Sequence, residues 1–287
     1  MRRWLSVAAG SAQLVSERPA LWLPGALAWI VSVGWIPLLV AVAQPPSQAE
    51  MTFLGARIVT SGAWPWNALL IVALVTAVVL AAFVLVASAN AVLLDLLGQR
   101  TASVASAARL LRIALVAAVP GLIVFVLLLI LAASVAPGAF NAPEEEAGGP
   151  VLAVLLGLAP IVIGLGVVVV LGAAFAAVAD RTDGVRSAVR RLARIGAAGW
   201  VQVVCGTAIH AGFLLLSALL LRVLWEPIGV QLDIGGDFDI ASGLLLVGFV
   251  AIWLCLVLVG GALHAWSATT WSRLLAADSR SMTPQRT

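Results

Sequence analysis

"ADRTDGVRSAVRRLARIGAAGW", residues 179–200, sets five arginines and two aspartates between two long apolar runs, 151–179 and 200–221. Neither run contains a charged residue. A helix rises 1.5 Å per residue, so about 20 apolar residues cross the ~30 Å hydrocarbon core of a bilayer. A charged stretch between two such runs is a turn at a membrane surface. Within it, Val185, Ala188, Val189, Leu192 and Ile195 recur at helical spacing and make one apolar face. Arg186, Arg190 and Arg194 recur every four residues on another face, and Arg191 adds to the charge. Thr182 or Asp183 supplies a side-chain oxygen for the free N–H groups at the start. Such a helix lies flat in the interface, its arginines toward anionic headgroups.

The whole chain agrees with a membrane setting. Of its 287 residues, 63% are hydrophobic and 10% charged, where a soluble domain keeps about a quarter charged. Six runs are long enough to span: 21–43, 67–94, 113–136, 151–179, 200–221 and 243–265. They are apolar on all faces, which predicts helices rather than barrel strands. The expected fold is therefore all-α: one polytopic bundle of six transmembrane helices, with short amphipathic helices on its cytosolic side. The basic start lacks a compact apolar segment followed by a cleavage site, so the first run reads as a retained anchor.

Arginine sets the orientation. Fourteen of the sixteen arginines fall on segments that share a side with the N-terminus. Only Arg57 and Arg222 fall on the other side, with Glu50, Glu144, Glu145, Glu146, Glu226, Asp233, Asp237 and Asp239. The positive-inside rule places both termini in the cytoplasm. The pI near 10.0 is thus a topology signal, not a sign of nucleic-acid binding. Trp22, Trp200 and Trp266 mark inner span ends, and Trp64, Trp66 and Trp225 outer ones, at the headgroup level. Trp29, Trp35 and Trp253 lie deeper, in packing or lipid contacts.

The basic stretch has a copy. "QRTASVASAARLLRIALVAA" (99–118) aligns without a gap to "DRTDGVRSAVRRLARIGAAG" (180–199) at an offset of 81. A third copy is visible where Pro24–Gly25 falls on Pro120–Gly121, at an offset of 96. The expected unit is a short basic helix, a span out, a loop and a span back. Three such units run in the same direction, as parallel repeats.

No Asp, Glu or Arg lies at core depth, which speaks against ion-coupled transport. His210 is the candidate intramembrane polar site, about ten residues into the fifth run and close to Gly206 and Cys205. Its plain role is a neutral imidazole bonded to a neighbouring helix. His264 sits at an inner span end facing headgroups, and Asn90 and Gln202 are expected to bond between helices. Cys205 and Cys255 show no metal spacing and read as buried small hydrophobes. In the fourth run Gly157, Gly164, Gly166 and Gly172 allow close packing, and Pro160 a kink.

The outer loops are short. "PPSQAEMTFLGARIVTSGAWPW" (45–66) has room for a short interfacial helix, and Asp233, Asp237 and Asp239 cluster as weak calcium candidates. No GxSxG, HExxH, Walker A or dinucleotide glycine pattern occurs. No enzyme activity and no cofactor is expected.

Basic stretches like "GVRSAVRRLARIGAAG" alternating with paired spans resemble a loose group of bacterial six-span membrane proteins. The group includes the membrane domain attached to some glycerophosphodiester phosphodiesterases. The resemblance implies the six-span fold and carries no site residues. A second likeness is to six-span ABC transporter permeases, with "ADRTDGVRSAVRRL" in the place of a coupling helix. Two functions follow as expectations. The first is a non-catalytic membrane subunit or scaffold. Its basic helices, through Arg186, Arg190, Arg191 and Arg194, contact a partner protein or anionic headgroups. The alternative is a permease for a lipid or apolar solute, with a path near His210.

Overall fold

The computed structural model describes residues 2–42, 62–98, 196–233 and 240–280, with isolated positions 53, 56, 57, 60, 166 and 169. Every described element is helical, and no strand occurs among the described residues.

Helix α1 (Arg2–Glu17) buries Trp4, Ala8, Ser11 and Val15, one face at helical spacing. It stops because Pro19 follows. The residue before a proline is pushed out of the helical region, and Arg18 sits at φ −124°, ψ 76°. A 3₁₀ turn, Pro19–Leu21, leads into α2 (Trp22–Trp29). A π-turn, Ile30–Gly34, then joins α3 (Ile36–Val42). The axis bends by 49° between the two parts. Pro37 explains a share of that bend, since it cannot donate to the carbonyl of Val33 and its ring crowds it.

Helix α4 (Trp66–Leu96) covers the second expected run and ends on Gly98 at φ 78°. The Gly98 N–H donates to the Asp95 carbonyl at 2.8 Å, a glycine stop that needs no Cβ. Helices α5 (Ala197–Asp233) and α6 (Ile240–Arg280) are far longer than the runs 200–221 and 243–265. Their 37 and 41 residues span about 55 and about 61 Å at 1.5 Å per residue. Both helices thus extend past the apolar runs at each end. The helices continue because hydrogen-bonding along the backbone does not require an apolar side chain.

Among the described residues two helices, Ala197–Gln231 and Ile240–Ala276, are long and apolar enough to cross a membrane. The bent pair Pro19–Gly34 with Ile36–Val42 makes a third if counted as one span. The runs 113–136 and 151–179 lie outside the described residues, so the described part does not carry the count of six. The surface tells the same story as hydropathy. Leu70, Leu216, Leu244 and Val247 are all about two-thirds exposed, in an apolar belt no water-facing surface sustains. The chain is a membrane protein.

The helices gather at two ends. At one, α1 packs with the start of α5 and the ends of α4 and α6, through Trp4, Ala8, Leu94, Trp271, Leu274 and Leu275. At the other, Ala41 of α3 meets Leu221 and Ile228 of α5 and Phe249 of α6. Between them α2 crosses α6 at glycine. A Cβ on Gly25 would strike the Gly261 carbonyl, and one on Gly261 would strike the backbone of Ala26. Two backbones that close exclude any larger residue.

Three indole N–H groups hold α1 in place. Trp4 Nε1 donates to Gln202 Oε1 at 2.7 Å, Trp22 Nε1 to the Val15 carbonyl at 2.9 Å, and Trp266 Nε1 to the Ala8 carbonyl at 2.9 Å. Trp22 and Trp266 are thus clamps on α1 more than headgroup markers. Trp200, Trp64 and Trp66 are exposed. Trp225 packs on Phe249, ring centroids 5.2 Å apart. Phe53, Ala56, Arg57 and Thr60 are helical and exposed.

Candidate functional site

The polar side chains at the heart of the bundle form a seam along α5 and α6. Gln202 is fully buried one turn into α5. It accepts from Trp4 and donates, at 3.4 Å, to Ser267 Oγ on α6. A second link runs from α4 to α6. Asn90 Nδ2 donates to the Val86 carbonyl at 2.8 Å, which turns its Oδ1 to His264. His264 Nε2 therefore carries the proton and donates to that oxygen at 3.0 Å. Asn90 and Gln202 do bond between helices. His264 does not face headgroups: it is 5% exposed and engaged with Asn90.

His210 lies farther along α5, 1% exposed. Its Nδ1 donates to the Gly206 carbonyl of its own helix at 2.7 Å. The expected bond to a neighbouring helix is absent among the described residues. What the ring meets instead is Trp29, centroid to centroid 5.4 Å at 44°. Trp29 also meets Phe213 at 5.8 Å, and is 2% exposed. This indole is held by glycine on two sides. A Cβ on Gly34 would lie 2.7 Å from its Cδ1, and one on Gly260 would overlap its ring.

Arg186, Arg190, Arg191 and Arg194 lie outside the described residues, as do Thr182, Asp183, Gly157, Gly164, Gly172, Asp237 and Asp239. Asp233 is the last residue of α5. Of the fourth run, Val169 is buried and would meet a Cβ on Gly206 of α5 at 3.3 Å, while a Cβ on Gly166 would lie 3.9 Å from Thr207 Oγ1, an ordinary contact. Cys205 is half-buried, but Cys255 is exposed on α6 rather than buried. Among the described residues no three His, Cys, Asp or Glu side chains come together to hold a metal ion.

Sequence reasoning missed Trp4, Ser267 and the partner of His264. Trp4 had a usable signal: with Ala8, Ser11 and Val15 it completes the apolar spacing of α1. Ser267 had none, since its partner is 65 positions away. Among the described residues five buried polar atoms have no partner: Thr207 Oγ1, Ser217 Oγ, Trp253 Nε1, Trp271 Nε1 and Ser272 Oγ. They are scattered along α5 and α6 rather than gathered at one place. Gln202 with Trp4 and Ser267, and Asn90 with His264, tie helix to helix, while His210 bonds within α5.

No family model matches the chain, and no curated protein or solved structure is significantly similar to it.

Proposed function

We propose that the chain is a non-catalytic subunit or scaffold of a bacterial cytoplasmic membrane. In this reading it has six spans and both termini in the cytoplasm. Its basic helices contact a partner protein or anionic lipid headgroups. The observation that carries the reading is the buried face of α1. Shift Ala8, Ser11 and Val15 by the 96-residue repeat offset and they fall on Val104, Ala107 and Leu111. A further shift of 81 gives Val185, Ala188 and Leu192. These are apolar in both basic copies, as an inward face requires. The exposed positions Ala9, Gln13 and Glu17 of α1 fall in the same way on Arg186, Arg190 and Arg194. In this reading Arg186, Arg190 and Arg194 take the outward face, while the buried Trp4 falls on Arg100 and Arg181 and the part-buried Leu14 on Arg191.

The buried polar seam supports the same reading. Its pairs are spent on holding helices together, as a scaffold needs. The test is a charge reversal, Arg186→Glu with Arg190→Glu and Arg194→Glu. Pull-downs from native membranes should lose the co-purifying partner, or anionic lipid should no longer be retained. Retention of both would refute the docking role. The permease alternative draws on one feature, the broken first span beside His210. It predicts a continuous cavity near His210 and Gly206, and helices packed solid at that depth would refute it.

A further inference from the structure

We infer that α3 is a movable strap, hinged at the π-turn, that closes the far end of the bundle over α5 and α6. This is independent of what the arginine face binds. The two halves of the first span are held by different means. The α2 half is locked, backbone to backbone, against α6 at Gly25 and Gly261. The α3 half packs closely on α5 through buried Pro37 and Ala41, with Leu38 beside the cluster of Leu221, Phe249 and Ile252, and no glycine lies in it. Its other face, Trp35, Leu39 and Val40, is about half exposed.

Between the halves the backbone ladder is irregular. The π-turn spaces its hydrogen bonds one residue wider than an α-helix. Ser32 Oγ lies 2.7 Å from the Ala28 carbonyl and 3.1 Å from that of Trp29, so a side chain supplies donation inside the turn. Pro37 removes a further ladder bond just beyond it. Backbone in this state bends at lower cost than a regular helix.

Two contacts set the closed position. At the base, the Trp29 indole fills the gaps left by Gly34 and Gly260 and leans on His210 and Phe213. At the tip, Arg222 Nη1 reaches from α5 to donate to the Ala41 carbonyl at 3.3 Å. Residue 45, four positions on, is a proline with no N–H to offer that carbonyl. A single long bond at the tip and a wedge at the base make a clasp and a pin. When they release, the strap uncovers Leu221 and Phe249 between α5 and α6.

The test uses full-length protein in lipid nanodiscs, with Cys205→Ser and Cys255→Ser, and spin labels at Val42 and Val223. Straightening the 49° bend over the seven residues from Trp35 to Val42 displaces the tip by about 9 Å at 1.5 Å per residue. Arg222→Ala is expected to add a second, longer distance, offset by up to that amount, and Trp29→Ala to enlarge its share. A reference pair on α5 and α6, Leu216 and Val247, should not move. An unchanged single distance in both variants, with the reference pair intact, overturns the strap. Should Trp29→Ala disturb the reference pair, Arg222→Ala alone decides, because it alters only the tip.

Discussion

Gln202 shows how one amide organises the interior. It is a buried amide with no water to turn to, so both of its ends must be satisfied by protein. Trp4 and Ser267 meet that need from two different helices. Replacing Gln202 with Leu strands the Trp4 N–H and should cost about 1–2 kcal/mol, the upper range for interhelical bonds in membranes. Unfolding in mixed micelles by a titrated denaturing detergent measures it. Adding Trp4→Phe to that variant should cost little more, since the donor is removed along with its missing acceptor. Additive losses would show that the two residues act separately. The interhelical role of Gln202 and Asn90 was legible because an amide in an apolar run has few options. The part of His264 was not, because a histidine near a span end is equally at home in headgroups.

Among elements, glycine decides who packs on whom. A helical Gly→Ala gains up to about 1 kcal/mol of propensity where there is room. Overpacking costs about 1–3 kcal/mol where there is none. At Gly25 and Gly261 the added Cβ meets backbone, which cannot turn aside. Gly25→Ala and Gly261→Ala should therefore lower stability by about 1–2 kcal/mol net, as the clash exceeds the propensity gain. At Gly212 and Gly248 a Cβ meets nothing within 4 Å. Those substitutions should leave the melting temperature unchanged or slightly raised. The small-residue content of the spans predicted close helix contact in general. Which glycine meets which backbone depends on the crossing of α2 and α6, and hydropathy has no record of that. The lengths of α5 and α6 are set in a related way: they run past the apolar segments into polar sequence that still packs or hydrogen-bonds.

At the scale of the whole molecule, α1 is part of the bundle and not an appendage. Deleting residues 2–17 removes two of the three indole bonds outright with Ala8 and Val15, and the third with Trp4. It also bares Trp271, Leu274 and Leu275. The truncated chain should lose its monodisperse peak on size exclusion in mild detergent. A peak identical to the full chain would mean that α1 only decorates the surface. Orientation is tested apart from stability. A fluorescent protein fused after Thr287 should light up, and alkaline phosphatase fused there should be inactive, if the arginine-rich side is cytoplasmic.

By itself the sequence determined the solvent and the secondary structure. Both follow from local quantities: the length of an apolar run, the scarcity of charge, the spacing of Ala8, Ser11 and Val15. The tertiary structure alone decided the pairing of Trp4 with Gln202, 198 positions apart. It also decided the lodging of Trp29 between two glycines, the bend before α3 and the clasp of Arg222 on Ala41. These depend on close approach between segments far apart in the chain. In a membrane, where lipid is as apolar as leucine, such fits choose the arrangement that hydropathy leaves open.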